Sequence, residues 1–332
     1  MKRAAVIGVG TIGAGWATLF AAGGYEVTLF DESREYLQRS LGLVDSALSF
    51  LFAHGLGQES VGPKGAEEAK GRLVSCETLE DALVGVDFVQ ESIVEDYAKK
   101  ASLYDLIEKS LPASTPVASS SSGLLISRLQ ADRIHPQRFL IGHPWNPPYL
   151  IPLVEIVPGP HTLPSIADEA RRVYEGLGMD AALVRKEVPG HVGNRLAAAL
   201  WREAIDLVIR GVASVEDVDK AIRSGPGLRW ALMGAHLTYH LGGGPDGIEY
   251  FIDHLKPAFE SWWADMAGWC EFPEEARVIL SAGVSQTVGD EPYEDMVARR
   301  DELLVGLLKL NQSRRERNPL VVVPEEDSLS VA

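Results

Sequence analysis

Arg3-Ala-Ala-Val-Ile-Gly8-Val-Gly10-Thr-Ile-Gly13, running on into Ala-Gly-Trp-Ala-Thr-Leu-Phe-Ala-Ala-Gly23, is the stretch that decides the fold. Residues 3–8 read as an apolar strand and residues 11–23 as an amphipathic helix, which puts G-x-G-x-x-G in the context it requires. Each glycine has a physical task. Gly8 permits the tight turn, Gly10 lets a pyrophosphate approach the backbone at the helix N-terminus, and Gly13 lets helix pack closely on strand. Thr11 and Ile12 complete the expected cofactor turn. A second strand, Glu26 to Phe30, ends at Asp31, about twenty residues on, where an acid bonds the ribose 2′-hydroxyl. A carboxylate there repels a 2′-phosphate, so NAD is expected rather than NADP. A glycine-rich turn without ligand is the bland alternative, and the joint occurrence of strand, glycines, helix, strand and acid argues against it.

Outward from this stretch, helical patterning covers Ser33 to His54 and Gly65 to Gly71, with a Gly/Pro-containing turn between. Strand-like segments follow at Leu73 to Cys76, Asp87 to Ile93 and Pro116 to Ser119, alternating with helices at Leu79 to Leu83 and Tyr97 to Leu111. Such alternation means a parallel sheet with helices on both faces and ligands at the carboxyl ends of the strands. After the helix Ser165 to Gly178 and the strand Ala181 to Lys186, Pro189-Gly190 marks a boundary. Helical segments then follow at His191 to Arg210, Val215 to Arg223, Trp230 to Leu241, Gly247 to Trp269, Pro273 to Leu280 and Tyr293 to Leu310. The expected fold is α/β: an N-terminal Rossmann-type, doubly wound, mostly parallel sheet, then an all-helical C-terminal domain. The expected limits are 1–188 for NAD binding, 189–320 for a helical substrate and dimerisation domain, and 321–332 for a tail. Arg314-Arg-Glu-Arg317 and Leu320-Val-Val-Val323 belong to an ending that is loosely packed or docked on a neighbour.

A chain of 332 residues exceeds what one core usually serves, so two domains are expected. A formal net charge of -16 opposes general attraction to DNA, RNA or anionic membrane. Cys76 and Cys270 have no metal-ligand spacing around them and read as thiols in a reducing compartment. No signal-peptide pattern precedes the first strand and no apolar run is long enough to span a bilayer, which points to the cytoplasm.

The chemistry concentrates in Ile141-Gly-His-Pro-Trp-Asn-Pro-Pro-Tyr-Leu-Ile-Pro-Leu-Val-Glu-Ile-Val157. Its two halves read as buried strands joined by a proline-rich connection, so His143 and Glu155 fall on neighbouring strands. There they suit a general base and its orienting partner, or else a satisfied core histidine and a strand-end charge. Gln90-Glu-Ser-Ile-Val-Glu95, with Lys100 beyond, puts carboxylates and an ammonium where a nicotinamide ribose would pass. Ser119-Ser-Ser-Ser-Gly123 puts hydroxyls at a strand end.

These motifs together resemble the 3-hydroxyacyl-CoA dehydrogenase family. The glycine fingerprint, E-S-I-V-E, the serines before G-L, H-P-x-N-P, L-V-E-I-V and G-x-x-x-N-R-L stand in the family's order over roughly residues 1–210. The resemblance implies that His143 takes the proton of a substrate 3-hydroxyl, with Glu155 holding the imidazole. It further implies that Ser122 bonds the substrate oxygen, that Asn194 helps place substrate, and that Glu95 and Lys100 lie near the cofactor ribose and nicotinamide. A homodimer through the helical domain is implied as well.

The chain also departs from the acyl-CoA enzymes. Gly123 stands where they commonly carry a second serine, and Pro144-Trp145 replaces a pair of aromatics. The ending from Gln286-Thr-Val-Gly-Asp290 looks like that of L-carnitine dehydrogenases and of the lambda-crystallin-like L-gulonate 3-dehydrogenases, and K-E-V-P-G, A-L-W-R-E-A and G-L-R-W-A-L-M-G look like the carnitine branch. NAD-dependent oxidation of a small L-3-hydroxy acid is therefore expected. An L-3-hydroxyacyl-CoA dehydrogenase and a non-catalytic dinucleotide-binding protein are the competing readings. A carnitine-like quaternary ammonium needs aromatic faces, since it has no N–H to donate. Trp145, Trp230, Tyr239, Trp262 and Trp263 are the candidates, the last two equally suited to the second domain's core or a dimer contact. Arg229 could grip a carboxylate or cap a helix. His236 and His240 have i,i+4 spacing but no third ligand, so no metal is expected. His191 and His254 read as surface or boundary residues.

Overall fold

The computed structural model describes residues 2–56 and 63–317. The chain divides into two compact units, Met1–Arg195 and Leu196–Ala332. The first contains β1 (Arg3–Ile7), α1 (Thr11–Ala22), β2 (Glu26–Phe30), α2 (Arg34–Ala53), α3 (Pro63–Lys70), β3 (Leu73–Ser75), α4 (Leu79–Ala82), β4 (Phe88–Glu91), α5 (Tyr97–Ser110) and β5 (Val117–Ser119). It continues with α6 (Ile126–Leu129), β6 (Phe139–Pro144), β7 (Leu153–Pro158), α7 (Pro164–Gly176), β8 (Asp180–Leu183) and the first turn of α8 (Gly193–Ile209).

The strands form one eight-stranded sheet in the order β3-β2-β1-β4-β5-β6-β7-β8. Every neighbouring pair is parallel except β6 with β7. The connection from Trp145 to Pro152 is too short for a crossover of roughly a dozen residues or more, so the chain must turn back on itself there. Side chains alternate between two apolar layers. Ala4 and Val6 of β1 pack with Trp16, Phe20 and Tyr174 on one face, whereas Ala5 and Ile7 pack with Tyr104 and Ile107 on the other. Cover on both faces explains why β1 and β6 are almost wholly buried and read as continuous apolar runs. The chain reverses its direction of winding between β1 and β4, and the crevice at their carboxyl ends is the switch point where such sheets take ligands.

The second unit is helical: the rest of α8, then α9 (Val215–Ser224), α10 (Pro226–Gly242), α11 (Gly247–Asp265), α12 (Ala276–Val288) and α13 (Tyr293–Arg317). Several limits differ from the sequence expectation, among them the end of α13, which runs on to Arg317 rather than Leu310. α10 starts at Pro226, where a proline costs no hydrogen bond, and is broken at Gly234, whose φ is +74°. α11 ends at Asp265, short of Trp269. α12 runs on to Val288, and Gly289, at φ +63°, ends it in the left-handed region. Trp262 and Trp263 are 54% and 64% exposed, so neither is a core residue of this unit. The division between units falls inside α8, beyond Pro189-Gly190; the amides of Val192, just before that helix, and of Gly193, its first residue, bond Glu155. The expected tail and Leu320-Val-Val-Val323 lie outside the described residues, as does the turn at 57–62. Among the described residues no helix is long and apolar enough to cross a membrane.

Candidate functional site

The glycine loop leaves β1 at Gly8, whose φ of +83° is open to glycine and strained for other residues. A Cβ there would lie 2.7 Å from the amide nitrogen of Ile93 and 2.8 Å from the carbonyl carbon of Ser92. A Cβ on Gly13 would run into the carbonyl oxygen of Gly8. Gly10 faces open space, with nothing within 4 Å of a Cβ, and α1 has no side-chain cap. Thr11 is exposed and Ile12 half-buried beside it. Free amides at an uncapped helix N-terminus suit an anion. Asp31 stands at the end of β2, its carboxylate accepting from the Val9 and Ser33 amides at 2.9 Å each. Space, amides and acid together fit a dinucleotide.

Across β6 and β7 the register sets His143 directly opposite Glu155. Both side chains fall on the same face of the sheet and both are buried, at 5% and 1% exposure. Glu155 Oε2 lies 3.0 Å from His143 Nδ1, and Oε1 accepts from the amides of Val192 and Gly193 at 2.8 and 2.9 Å. Burial pushes the Glu155 carboxyl upward, but the His143 hydrogen bond and the Gly193 and Val192 amides outweigh it and hold its pKa at about 2. An ionised carboxylate can only accept, so Nδ1 carries the proton and Nε2 of neutral His143 is left as the proton acceptor.

This sets a pH dependence. The folded pKa of Glu155 lies below its ordinary value of 4.5, so its contribution to stability is fully present above that pH and is lost as pH falls toward about 2. Urea titrations of wild type and Glu155→Gln should therefore show the wild-type advantage shrinking over that interval. An advantage independent of pH would refute this account of the carboxylate.

The serine run is held from several sides. Ser119 donates to Glu91 Oε2 at 2.7 Å, and Ser121 donates to Glu95 Oε2 at 2.7 Å. Ser122 is exposed, with its amide on Glu95 Oε1 and its carbonyl accepting from Asn194 Nδ2 at 3.3 Å. Ser122, Glu95 and Asn194 are thus brought together. Lys100, which the resemblance sets near the cofactor, is buried beneath this run and bonds the Ile93 carbonyl at 3.2 Å. It is 1% exposed, and its ammonium bonds Glu91 Oε1 at 2.6 Å and Ser119 Oγ at 3.4 Å, because a buried carboxylate needs a counter-charge.

His191 is the residue that the sequence undervalued. It is 1% exposed, donates through Nε2 to the Ser121 carbonyl at 3.0 Å, and sets its ring 5.2 Å from that of His143. Its φ of +52° is uncommon for a residue with a side chain, and the same turn aims the Val192 and Gly193 amides at Glu155. Burial pushes its pKa down, against the Ser121 hydrogen bond, so it favours the neutral form. A histidine directly after Pro-Gly at a helix start was the available signal.

Trp145 is half-buried against Gly193, where a Cβ would meet its indole at 2.9 Å and Glu155 Oε2 at 3.1 Å. In the second unit Arg229 is exposed, Trp230 is half-buried, and Tyr239 packs on Phe251 and Phe259 at 4.9 and 5.8 Å between ring centroids. His240 Nδ1 accepts from the Ile248 amide at 3.2 Å and so supports the following helix.

Family models for the 3-hydroxyacyl-CoA dehydrogenase NAD binding domain and C-terminal domain match residues 3–188 and 190–277. The chain is 41% identical over 307 residues to an L-carnitine dehydrogenase of Burkholderia mallei, covering 92% of each protein. It is 39% identical over 312 residues to that of Streptomyces griseus, covering 93% of this chain and 90% of the relative. Among solved structures, 5-formyl-3-hydroxy-2-methylpyridine 4-carboxylic acid 5-dehydrogenase, described as an NAD+-dependent dismutase, superimposes with a TM-score of 0.77 at 28% identity, covering 94% of this chain and 99% of that one. The 3-hydroxybutyryl-CoA dehydrogenase of Escherichia coli K12 gives 0.66 at 25% identity, covering 85% of this chain and 57% of that one.

Proposed function

From the premise that this chain belongs to the 3-hydroxyacyl-CoA dehydrogenase family, we propose that it oxidises the 3-hydroxyl of L-carnitine, with His143 as general base and Glu155 as its orienting acid. The chain is an NAD-dependent oxidoreductase of small 3-hydroxy acids. The observation that carries the residue assignment is the register that sets an imidazole on a carboxylate at the carboxyl end of β6.

When bound, NAD supplies the acceptor for hydride. His143 Nε2 removes the hydroxyl proton as carbonyl character builds, which avoids a high-energy cation. Glu155 stabilises the imidazolium so formed. Ser122 and Asn194 hold the substrate oxygen in line, and alignment of this kind is a large part of such catalysis. Gly8, Gly10, Thr11, Ile12, Gly13, Asp31 and Glu95 serve the cofactor.

Relatives named L-carnitine dehydrogenase, matched over nearly the whole chain, support the small free acid over a CoA thioester. Trp145 offers an aromatic face to a quaternary ammonium, and Arg229, Trp230 and Tyr239 are the candidates from the second unit. A kinetic panel of L-carnitine, L-gulonate, L-3-hydroxybutyrate and acetoacetyl-CoA with NAD or NADH tests the choice. L-carnitine should give the highest kcat/KM, and preference for the thioester would reverse the assignment.

The assembly is a homodimer through the helical unit. Trp201, Trp262, Trp263, Phe272 and Val278 are each more than half exposed there, an apolar load typical of a covered surface. Cys76 and Cys270 as free thiols suit the cytoplasm.

A further inference from the structure

The hydroxyl of Ser120 has one proton to donate and two lone pairs to accept with. Trp16 Nε1 donates to it at 3.0 Å and Gln90 Nε2 at 2.8 Å. The orientation of the Gln90 amide is determined by its other neighbours. Its Nε2 also faces the Gly142 carbonyl at 3.3 Å, which can only accept, and its Oε1 takes the Tyr174 hydroxyl at 2.7 Å. Both lone pairs of Ser120 are therefore used, and its proton goes to the remaining neighbour, Ser92 Oγ, at 2.7 Å. Ser92 receives a hydrogen bond from below, so its own proton is directed elsewhere.

The anchors of this chain are rigid. Trp16, Gln90 and Tyr174 are each wholly buried, and Gly142 lies so close under Tyr174 that a Cβ there would strike the phenol oxygen. Ser92, by contrast, is half-buried at the carboxyl end of β4. Its amide bonds the Ile7 carbonyl at 2.7 Å, and its carbonyl carbon lies against Gly8. That is the β1/β4 switch point, beside the open space at Gly10.

We propose that the Ser92 hydroxyl is a preset hydrogen-bond donor to an oxygen of the bound dinucleotide, held in that sense by the Tyr174–Gln90–Ser120–Trp16 network. The proposal rests on the NAD reading of the glycine loop. Because the donor is oriented before the ligand arrives, little rotamer freedom is lost on binding, and the bond contributes to affinity rather than to the fold.

The test is calorimetric titration of NADH into the full-length wild type, Ser92→Ala and Ser92→Thr, with the melting temperature of each ligand-free protein. Ser92→Ala should raise the NADH Kd about tenfold, the effect of one well-made hydrogen bond. Ser92→Thr, which keeps the hydroxyl, should recover most of it, and the ligand-free melting temperatures should be nearly equal. An unchanged Kd in Ser92→Ala, equal losses in both variants, or a loss matched by a lower ligand-free melting temperature would overturn the proposal. Failure of the wild type to bind NADH would instead remove the cofactor reading beneath it.

Discussion

Replacing His143 by alanine is expected to lower turnover of the 3-hydroxy acid by about 10²–10⁴-fold, the range for losing a positioned general base, while NADH affinity stays close to that of wild type. The separation follows from where the side chains lie. The cofactor elements are the loop at Gly8 to Gly13 and Asp31, set on β1, α1 and β2, whereas His143 sits on β6 and bonds Glu155. Two strands, β4 and β5, intervene between them in the sheet. Truncating the imidazole therefore removes the proton acceptor without touching the glycine loop. It also strands Glu155 on the Val192 and Gly193 amides alone, which remain enough to hold the carboxylate and the start of α8. Parallel stopped-flow turnover and NADH titration decide the matter. An equal loss of NADH affinity would show that His143 supports the fold, and an activity loss below about tenfold would remove it as the base.

Lys100→Met is the second large effect, and it falls on stability. Glu91 is wholly buried, and its two oxygens take the Lys100 ammonium at 2.6 Å, the Ile93 amide at 2.7 Å, and the hydroxyls of Tyr104 and Ser119 at 2.7 Å each. Burial, then the Glu91 charge, pushes the Tyr104 phenol well above its usual range, so it stays protonated and donates. With the ammonium gone, Glu91 is left as a buried charge without a counter-ion, at a cost of about 3–5 kcal/mol. The double variant Glu91→Gln with Lys100→Met should recover much of that loss, because both charges leave together. Urea unfolding of both variants checks this. A single-variant loss below about 1 kcal/mol would show that the pair is solvated rather than buried.

The two outcomes separate residues of one motif region that look alike in sequence. Glu91 ends β4 and Glu95 and Lys100 follow it closely, and charge alone assigns each to the cofactor. Strand alternation and the packing of α5 turn Glu91 and Lys100 into the core, where they fasten Ser119 at the end of β5. Glu95, on the exposed loop beyond, clamps Ser121 and Ser122 instead. Sequence spacing could not separate these roles, since the partners lie elsewhere in the chain, on α5 and β5 for Glu91 and just past β5 for Glu95.

The amino-acid sequence by itself determined the order of strands and helices, the dinucleotide turn and the family, because glycine geometry, apolar periodicity and local motif spacing act within a few tens of residues. The His143–Glu155 pair was legible in the sequence as well, but only the tertiary structure decided its register and the other polar partners around it. The antiparallel return of β7 on β6 sets Glu155 opposite His143, the turn before α8 swings His191 beside them, and the stacking of α1, β4 and β5 aims the proton of Ser120 at Ser92. Each of these depends on hydrogen-bonded neighbours far apart in the chain, and those neighbours give a polar contact its direction by using up the other donors and lone pairs.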